Sequence, residues 1–378
     1  MMSPISAIKT AGKEEASLIP TPTTGETSVY IHLPFCKKKC DYCHFFVLPD
    51  KEIYKERLHA ALLKEIQLIS LKKPLKSLYF GGGTPSLYGP ERLQELIRAL
   101  PEAEEVTLEA NPDGLSLELL KAYKTAGVNR VSLGVQAFDS PQLIKLGRIH
   151  NELESQKCVH LIREAGFENI TIDLMYDLPG QTLEMWKKTL ETAVSLPITH
   201  LSLYNLQIEP ATVFFKHRSR LEKEMPTDEE SLKMYEMAQA VLTDAGLEQY
   251  EISAFAKPGY YSKHNVGYWL GREFYGLGPS AFSYREGRRY QNVANLNKYC
   301  EAIEKRVFPV DFEEKLEGEQ AERELFLIGL RMLQGVKIPS FREELVPLEK
   351  EGLITVSDKV QLTPKGILLY DAIAETLV

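Results

Sequence analysis

The chain has 378 residues and a formal net charge of -8, with 45 Lys plus Arg against 53 Asp plus Glu. That length accommodates a barrel-sized domain and a smaller one, and the acidic balance argues against nucleic acid as the main partner, because phosphate binding needs clustered cations. Five cysteines, three of them within residues 36–43, make no disulfide framework in so long a chain; with no transmembrane segment or signal-peptide core in sight, they point to a reduced, cytoplasmic setting.

Residues 1–26 read as a polar, Pro- and Thr-containing flexible lead, and Glu14 and Glu15 argue against an organellar transit peptide. Six β-branched runs follow: "SVYIHLP" (28–34), "SLYFGG" (77–82), "EVTLEA" (105–110), "RVSLGV" (130–135), "NITIDLMY" (169–176) and "HLSLYNL" (200–206). Between them lie amphipathic stretches long enough for right-handed crossovers, so residues 27–248 are expected to form an α/β fold, an incomplete (β/α)6 TIM-like barrel. Parallel barrels keep their chemistry at the C-terminal strand ends. There this sequence places Cys36 to Cys43, Gly81 to Thr84, Glu109 with Asn111, Gln136, Asp177, and Asn205 with Gln207. Residues 249–310 form an aromatic, Gly-rich accessory region expected as short strands and loops. Residues 311–378 order as helix, helix, hairpin and helix, in the manner of a small winged-helix domain.

The segment "CKKKCDYCHFF" (36–46) admits three chemistries. Cys40 to His44 spells the C-x-x-C-H of c-type haem attachment, a feature of exported proteins, for which no export signal is present. Cys36, Cys40, Cys43 and His44 are four candidate zinc ligands, but no second short-spaced pair completes a zinc site. Three thiolates can also hold a 4Fe-4S cluster with one iron left open to a small molecule. In "FGGGTPS" (80–86), three glycines permit close backbone approach to a ligand, although "TPS" also suits an ordinary strand-to-helix turn.

The C-x-x-x-C-x-x-C spacing after a first strand, with the aromatic Tyr42 between the last two cysteines, resembles the radical S-adenosylmethionine superfamily. The stretches "YIHLPFC", "LEANPD", "RVSLGVQAF", "LGRIH", "DLMYDLPGQT" and "YEISAFA" narrow the resemblance to its oxygen-independent coproporphyrinogen dehydrogenase branch over about residues 25–300. The branch includes the dehydrogenase and haem chaperones. Phe45 stands where the dehydrogenase carries a fourth cysteine, and "HNVGYW" (264–269) matches the chaperones' H-N-x-x-Y-W motif.

The resemblance implies a 4Fe-4S cluster on Cys36, Cys40 and Cys43, S-adenosyl-L-methionine on its open iron, an electron donor for the cluster, and haem delivered to haem-accepting proteins. It implies Tyr30 near the cluster and Gly82, Gly83 and Thr84 at the methionine end of the cofactor. Glu109, Gln136, Arg148 and Asp173 fall at its other cofactor positions, which Gln207 and Phe282 match only loosely. His264 becomes a candidate haem ligand, with Tyr268 and Trp269 as flat faces against the macrocycle. Each of these residues also has a plain reading. The carboxylates would satisfy backbone groups at the barrel rim, Gln136 would bridge strands, Arg148 would form a surface ion pair, and His264 would cap a loop. An acid-base pair of Asp177 with Glu109 is disfavoured because a cluster accounts for the rim more economically, and a DNA-reading wing in "KVQLTPKG" is disfavoured by the acidic balance; Cys158 and Cys300 read as packing residues.

Overall fold

The structure, a computed structural model, describes residues 25–377, so the expected lead lies outside the described residues except for Gly25 and Glu26. Glu26 is ion-paired with Arg272 at 3.4 Å and Lys76 at 3.6 Å. Six parallel strands form the barrel wall: β1 (Ser28–Leu33), β2 (Leu75–Gly82), β3 (Ala103–Ala110), β4 (Arg130–Gln136), β5 (Asn169–Tyr176) and β6 (His200–Asn205). All six coincide with the β-branched runs.

Side chains alternate across each strand. Val29 and Ile31, Leu78 and Phe80, Val106 and Leu108, Val131 and Leu133, Ile170 and Ile172, and Leu201 and Leu203 belong to the main apolar core. The residues between them are polar: Tyr30 and His32, Ser77 and Tyr79, Thr107 and Glu109, Arg130 and Ser132, Thr171 and Asp173, His200 and Ser202. Parallel strands covered on both faces usually read as unbroken apolar runs. Here the barrel interior is a polar column, and the apolar face is covered by helices such as α1 (Glu52–Ile69), which contributes Leu58, Leu62 and Ile66.

The wall does not close on itself. Beyond β6 it continues through antiparallel β7 (Glu248–Glu251) and β8 (Ala254–Ala256). Beyond β1 it continues through parallel β9 (Phe274–Leu277), then antiparallel β10 (Phe282–Arg285), β11 (Arg288–Asn292) and β12 (Val310–Lys315). The sheet order is therefore β12-β11-β10-β9-β1-β2-β3-β4-β5-β6-β8-β7. The expected boundaries at 248/249 and 310/311 fall inside or beside paired strands, so the accessory region is continuous with the barrel sheet. A second core, including Phe326, Leu330, Phe341, Leu348, Ile354, Val360 and Ile373, joins the helix Gly318–Leu330 to the C-terminal hairpin and helices.

Helix α2 (Lys263–Trp269) lies against β2 at the N-terminal end of the barrel. Buried Glu105 accepts from the backbone N–H of Lys263 and of His264, each at 3.2 Å, and Ser262 Oγ accepts from Asn265 N at 3.4 Å. These bonds satisfy the first orphan donors of the helix.

On the outer side, Glu65 of α1 is fully buried and accepts from Gly278 N at 2.9 Å, Asn292 Nδ2 at 3.0 Å and the Tyr299 hydroxyl. It staples α1 to the accessory strands. Burial pushes its carboxyl up to about 7 despite those donors. A folded-state value above the ordinary one means a contribution fully present below about pH 4.5 and lost as pH rises through about 7. Melting temperatures should therefore fall across that window in the natural chain, and Glu65→Gln, neutral throughout, should flatten the fall. An unchanged slope in the variant would rule Glu65 out as its source.

Candidate metal and cofactor site

The cysteines sit on a loop tied down at its base and at its middle. Phe35–Cys36 pairs in parallel with Leu48–Pro49, with Leu48 N donating to Pro34 O at 2.6 Å and Asp50 N to Cys36 O at 3.2 Å. Asp41 N donates to Leu146 O at 3.1 Å, and Phe214 N to Asp41 O at 3.0 Å. The three thiols line a cavity of about 400 Å³ at the C-terminal ends of the strands, together with Tyr42, Gly82, Gly83, Thr84, Glu109, Gln136, Arg148, Asp173 and Gln207. One cavity thus gathers nearly every residue expected for the cluster and its small-molecule partner.

Cys36 Sγ lies 3.7 Å from Thr84 Oγ1, and Arg148 Nη1 donates to Cys40 Sγ at 3.5 Å. Burial pushes the Cys36 thiol up to about 11 and the Cys43 thiol up as well, so metal binding must displace thiol protons. Among the described residues no three His, Cys, Asp or Glu side chains converge on a point suited to one metal ion. His44 is exposed and packs on the Phe45 ring, with centroids 4.7 Å apart. Three thiols around a void large enough for more than a single ion suit a cluster with one open iron.

Arg148 is no surface salt bridge. Its guanidinium donates to Asn111 Oδ1 at 2.7 Å and Gly134 O at 2.5 Å, and Asn111 Nδ2 donates to Thr84 Oγ1 at 3.0 Å. Glu109 accepts from the Tyr79 hydroxyl at 2.8 Å and Gly82 N at 3.2 Å, and burial pushes it up to about 7. Asp173 accepts from Ser132 Oγ at 3.4 Å, and burial pushes it up to about 6. Gln136 holds a left-handed backbone, φ 68°, where the register of β4 against β5 shifts. Strain of this kind concentrates at functional sites.

The glycines have a different reason from the one expected. A Cβ on Gly82, whose φ is +111°, would stand 2.5 Å from the His32 ring, and one on Gly83 would stand 2.7 Å from the backbone of Pro34 and Phe35. The close approach is to β1 and the chain leaving it; the cavity benefits because β2 can end flush against the cysteine loop.

Two expected positions need correction. Tyr30 stands on β1 with its ring beside Tyr79 and is not among the residues lining the cysteine cavity. Its hydroxyl bonds His32 Nδ1 at 3.0 Å, and it lines a second cavity instead of the cysteine cavity. His264 is 1% exposed in the barrel floor, with Nδ1 bonded to Ser77 Oγ at 2.8 Å and Nε2 to the Tyr268 hydroxyl at 2.7 Å. Both ring nitrogens are occupied, and burial holds the imidazole down at about 3. A haem iron cannot reach it without dismantling that floor. Phe282, matched loosely to the cofactor, lines the second cavity. Asp177 accepts from Asn205 Nδ2 and Ser231 Oγ, both at 2.5 Å, and is absent from the cavity that holds Glu109, so no acid-base pair forms. Cys158 and Cys300 are buried in packing positions. Sequence reasoning missed Ser132 and Tyr204, which line the cysteine cavity; the alternation along β4 and β6 carries their signal.

The second cavity, of about 1020 Å³, opens beside the first. Phe45, Phe46, Trp269, Phe274, Phe282 and Phe312 supply its aromatic walls, and His44 and Phe45 belong to both cavities.

An open parallel barrel with three thiols on the loop after its first strand is the architecture of a radical S-adenosylmethionine protein, and residues 30–193 match the family model described as the Radical SAM superfamily. Over 369 residues the chain is 39% identical to the heme chaperone HemW of Lactococcus lactis, covering 92% of this chain and 96% of that protein. The heme chaperone HemW of Bacillus subtilis is 39% identical over 367 residues, covering 90% and 96%. The solved structure of Escherichia coli coproporphyrinogen III oxidase (HemN), described as a radical SAM enzyme, superposes with a TM-score of 0.81 at 25% identity, covering 93% of this chain and 90% of that one. The chain belongs to the radical SAM superfamily and, within it, to the HemW family. Membership of that superfamily implies a 4Fe-4S cluster and S-adenosylmethionine.

Two outcomes follow from the site. Cys36→Ser, Cys40→Ser and Cys43→Ser should each abolish the broad visible absorbance of a 4Fe-4S cluster after anaerobic reconstitution, while Cys158→Ser and Cys300→Ser retain it. Gly82→Ala should lower stability by more than about 1 kcal/mol in denaturant titrations, because the new methyl meets the His32 ring and the backbone is left-handed. A Gly82→Ala chain as stable as the natural one would show that β1 yields at that contact.

Proposed function

We propose that the chain is a haem chaperone of the cytoplasm that binds haem and passes it to haem-accepting proteins. In this reading Cys36, Cys40 and Cys43 hold a 4Fe-4S cluster, and an electron donor reduces it. Arg148 takes the carboxylate of S-adenosylmethionine; Glu109, Gln136 and Asp173 serve its ammonium and hydroxyl groups, beside the backbone of Gly82, Gly83 and Thr84. The buried carboxylates support this, because a cationic ligand would hold both ionised. When bound, the cluster supplies an open iron for chelation and an electron for cleavage of the sulfonium.

The observation that carries the reading is the aromatic cavity. Its volume lies at the upper end of the roughly 300–1,000 Å³ of small-molecule sites. Phe45, Phe282 and Phe312 are 55%, 47% and 45% exposed, an apolar lining open to solvent that calls for a large flat ligand. Helix α2 places Tyr268 and Trp269 of the H-N-x-x-Y-W motif in that lining. The motif thus serves the cavity through its aromatic end, while His264 secures the floor.

The test is a hemin titration of the anaerobically reconstituted chain. The Soret band should saturate, and Phe282→Ala and Phe312→Ala should each weaken binding by roughly ten-fold, since each removes a ring whose burial is worth about 1.5–3 kcal/mol. Incubation with coproporphyrinogen III, S-adenosylmethionine and a reductant should yield no protoporphyrinogen. Sustained formation of that product would return the chain to the decarboxylating enzymes despite Phe45.

A further inference from the structure

We propose that the haem iron is ligated by His44, the imidazole that follows the third cysteine of the cluster loop. The inference rests on the haem-binding reading of the aromatic cavity and names the residue that holds the metal there. Of the eight histidines, two line that cavity, His32 and His44. His32 is closed off: Nδ1 bonds the Tyr30 hydroxyl at 3.0 Å and Nε2 bonds the Phe46 carbonyl at 3.1 Å. A carbonyl only accepts, so Nε2 carries the proton and the remaining lone pair faces the Tyr30 hydroxyl.

The phenols fare no better as ligands. Burial raises Tyr30, Tyr268 and Tyr284 above the ordinary phenol value, which disfavours the phenolate that ferric iron requires. Tyr30 and Tyr268 are also bonded to the imidazoles of His32 and His264. Among the described residues His44 makes no hydrogen bond, and its ring packs on that of Phe45. It is exposed, it borders both cavities, and a neutral imidazole is a favoured haem ligand. Its seat on a loop pinned at Cys36, Asp41 and Leu48 limits the entropy lost on coordination.

The experiment compares the natural chain with His44→Ala, His44→Gly, His264→Ala and Tyr284→Phe in hemin titrations, followed by Soret position and resonance Raman, with and without reconstituted cluster. His44→Ala should lose the iron–imidazole signature and bind hemin at least about ten-fold more weakly in both states of the loop, and added imidazole should restore the natural spectrum in His44→Gly. His264→Ala should lower thermal stability while leaving the ligand signature of whatever folds. An unchanged spectrum and affinity in His44→Ala, or loss of the signature in a folded His264→Ala or in Tyr284→Phe, would overturn the assignment. A natural chain that binds no hemin would instead overturn the chaperone reading itself.

Discussion

The fold depends on burying a polar column inside a parallel barrel. Polar side chains without partners would cost about 1–3 kcal/mol each, more for charges, so the column stands only because its members bond to one another. Arg130, 1% exposed, donates to Thr107 at 3.3 Å and Thr171 at 2.7 Å and lies in the field of Glu105. Glu105 in turn receives the N-terminus of α2, whose His264 bonds Ser77, which bonds Ser28 at 2.8 Å. Helix α2 and the column satisfy each other's polar groups. Above this floor the same inward rows supply Glu109, Ser132 and Asp173, so the site is the upper part of a network whose lower part is purely structural.

That division explains how far the sequence could be read. The six strands were legible because the outward rows are apolar and regularly spaced, and the cysteine loop because its spacing is rare. His264 was misjudged because a motif treats its six residues as one unit, whereas a helix sends positions i and i+4 to one face and their neighbours elsewhere. The spacing of His264 and Tyr268 was itself a signal that the two bond each other. Tyr30, which the family resemblance put near the cluster, lines the neighbouring cavity, because alternation along β1 sends its ring inward beside Tyr79 below the cysteine loop.

The glycines teach a related lesson. A Gly-rich turn at a strand end invites a ligand, yet at Gly82 and Gly83 the nearest obstacles are His32 and the Pro34–Phe35 backbone. The constraint comes from two neighbouring chain segments that must lie flush so that the cysteine loop can cross the barrel mouth. Sequence could show that close approach was needed, but only the packing identifies what approaches. The accessory strands were blurred for lack of such markers, since β7 to β12 are short and partly exposed, and the two that join the barrel, β8 on β6 and β9 on β1, find those partners far away in sequence.

The two cavities share one wall, and that wall is the cysteine loop. His44 and Phe45 follow Cys43 directly, with the thiols on one side and the aromatic lining on the other. A loop of eleven residues between the paired segments Phe35–Cys36 and Leu48–Pro49, held in its middle by Leu146 and Phe214, has little freedom to reshape one side alone. Drawing three thiols onto the corners of a cluster therefore also fixes where residue 44 points. A fourth cysteine at position 45 would turn the second side into more of the first; a phenylalanine there gives the neighbouring cavity its floor and leaves the adjacent imidazole free. Replacement of one sulfur by one ring at that position is a small change in sequence, but it decides whether the loop faces one cavity with thiols or faces two cavities of different chemistry.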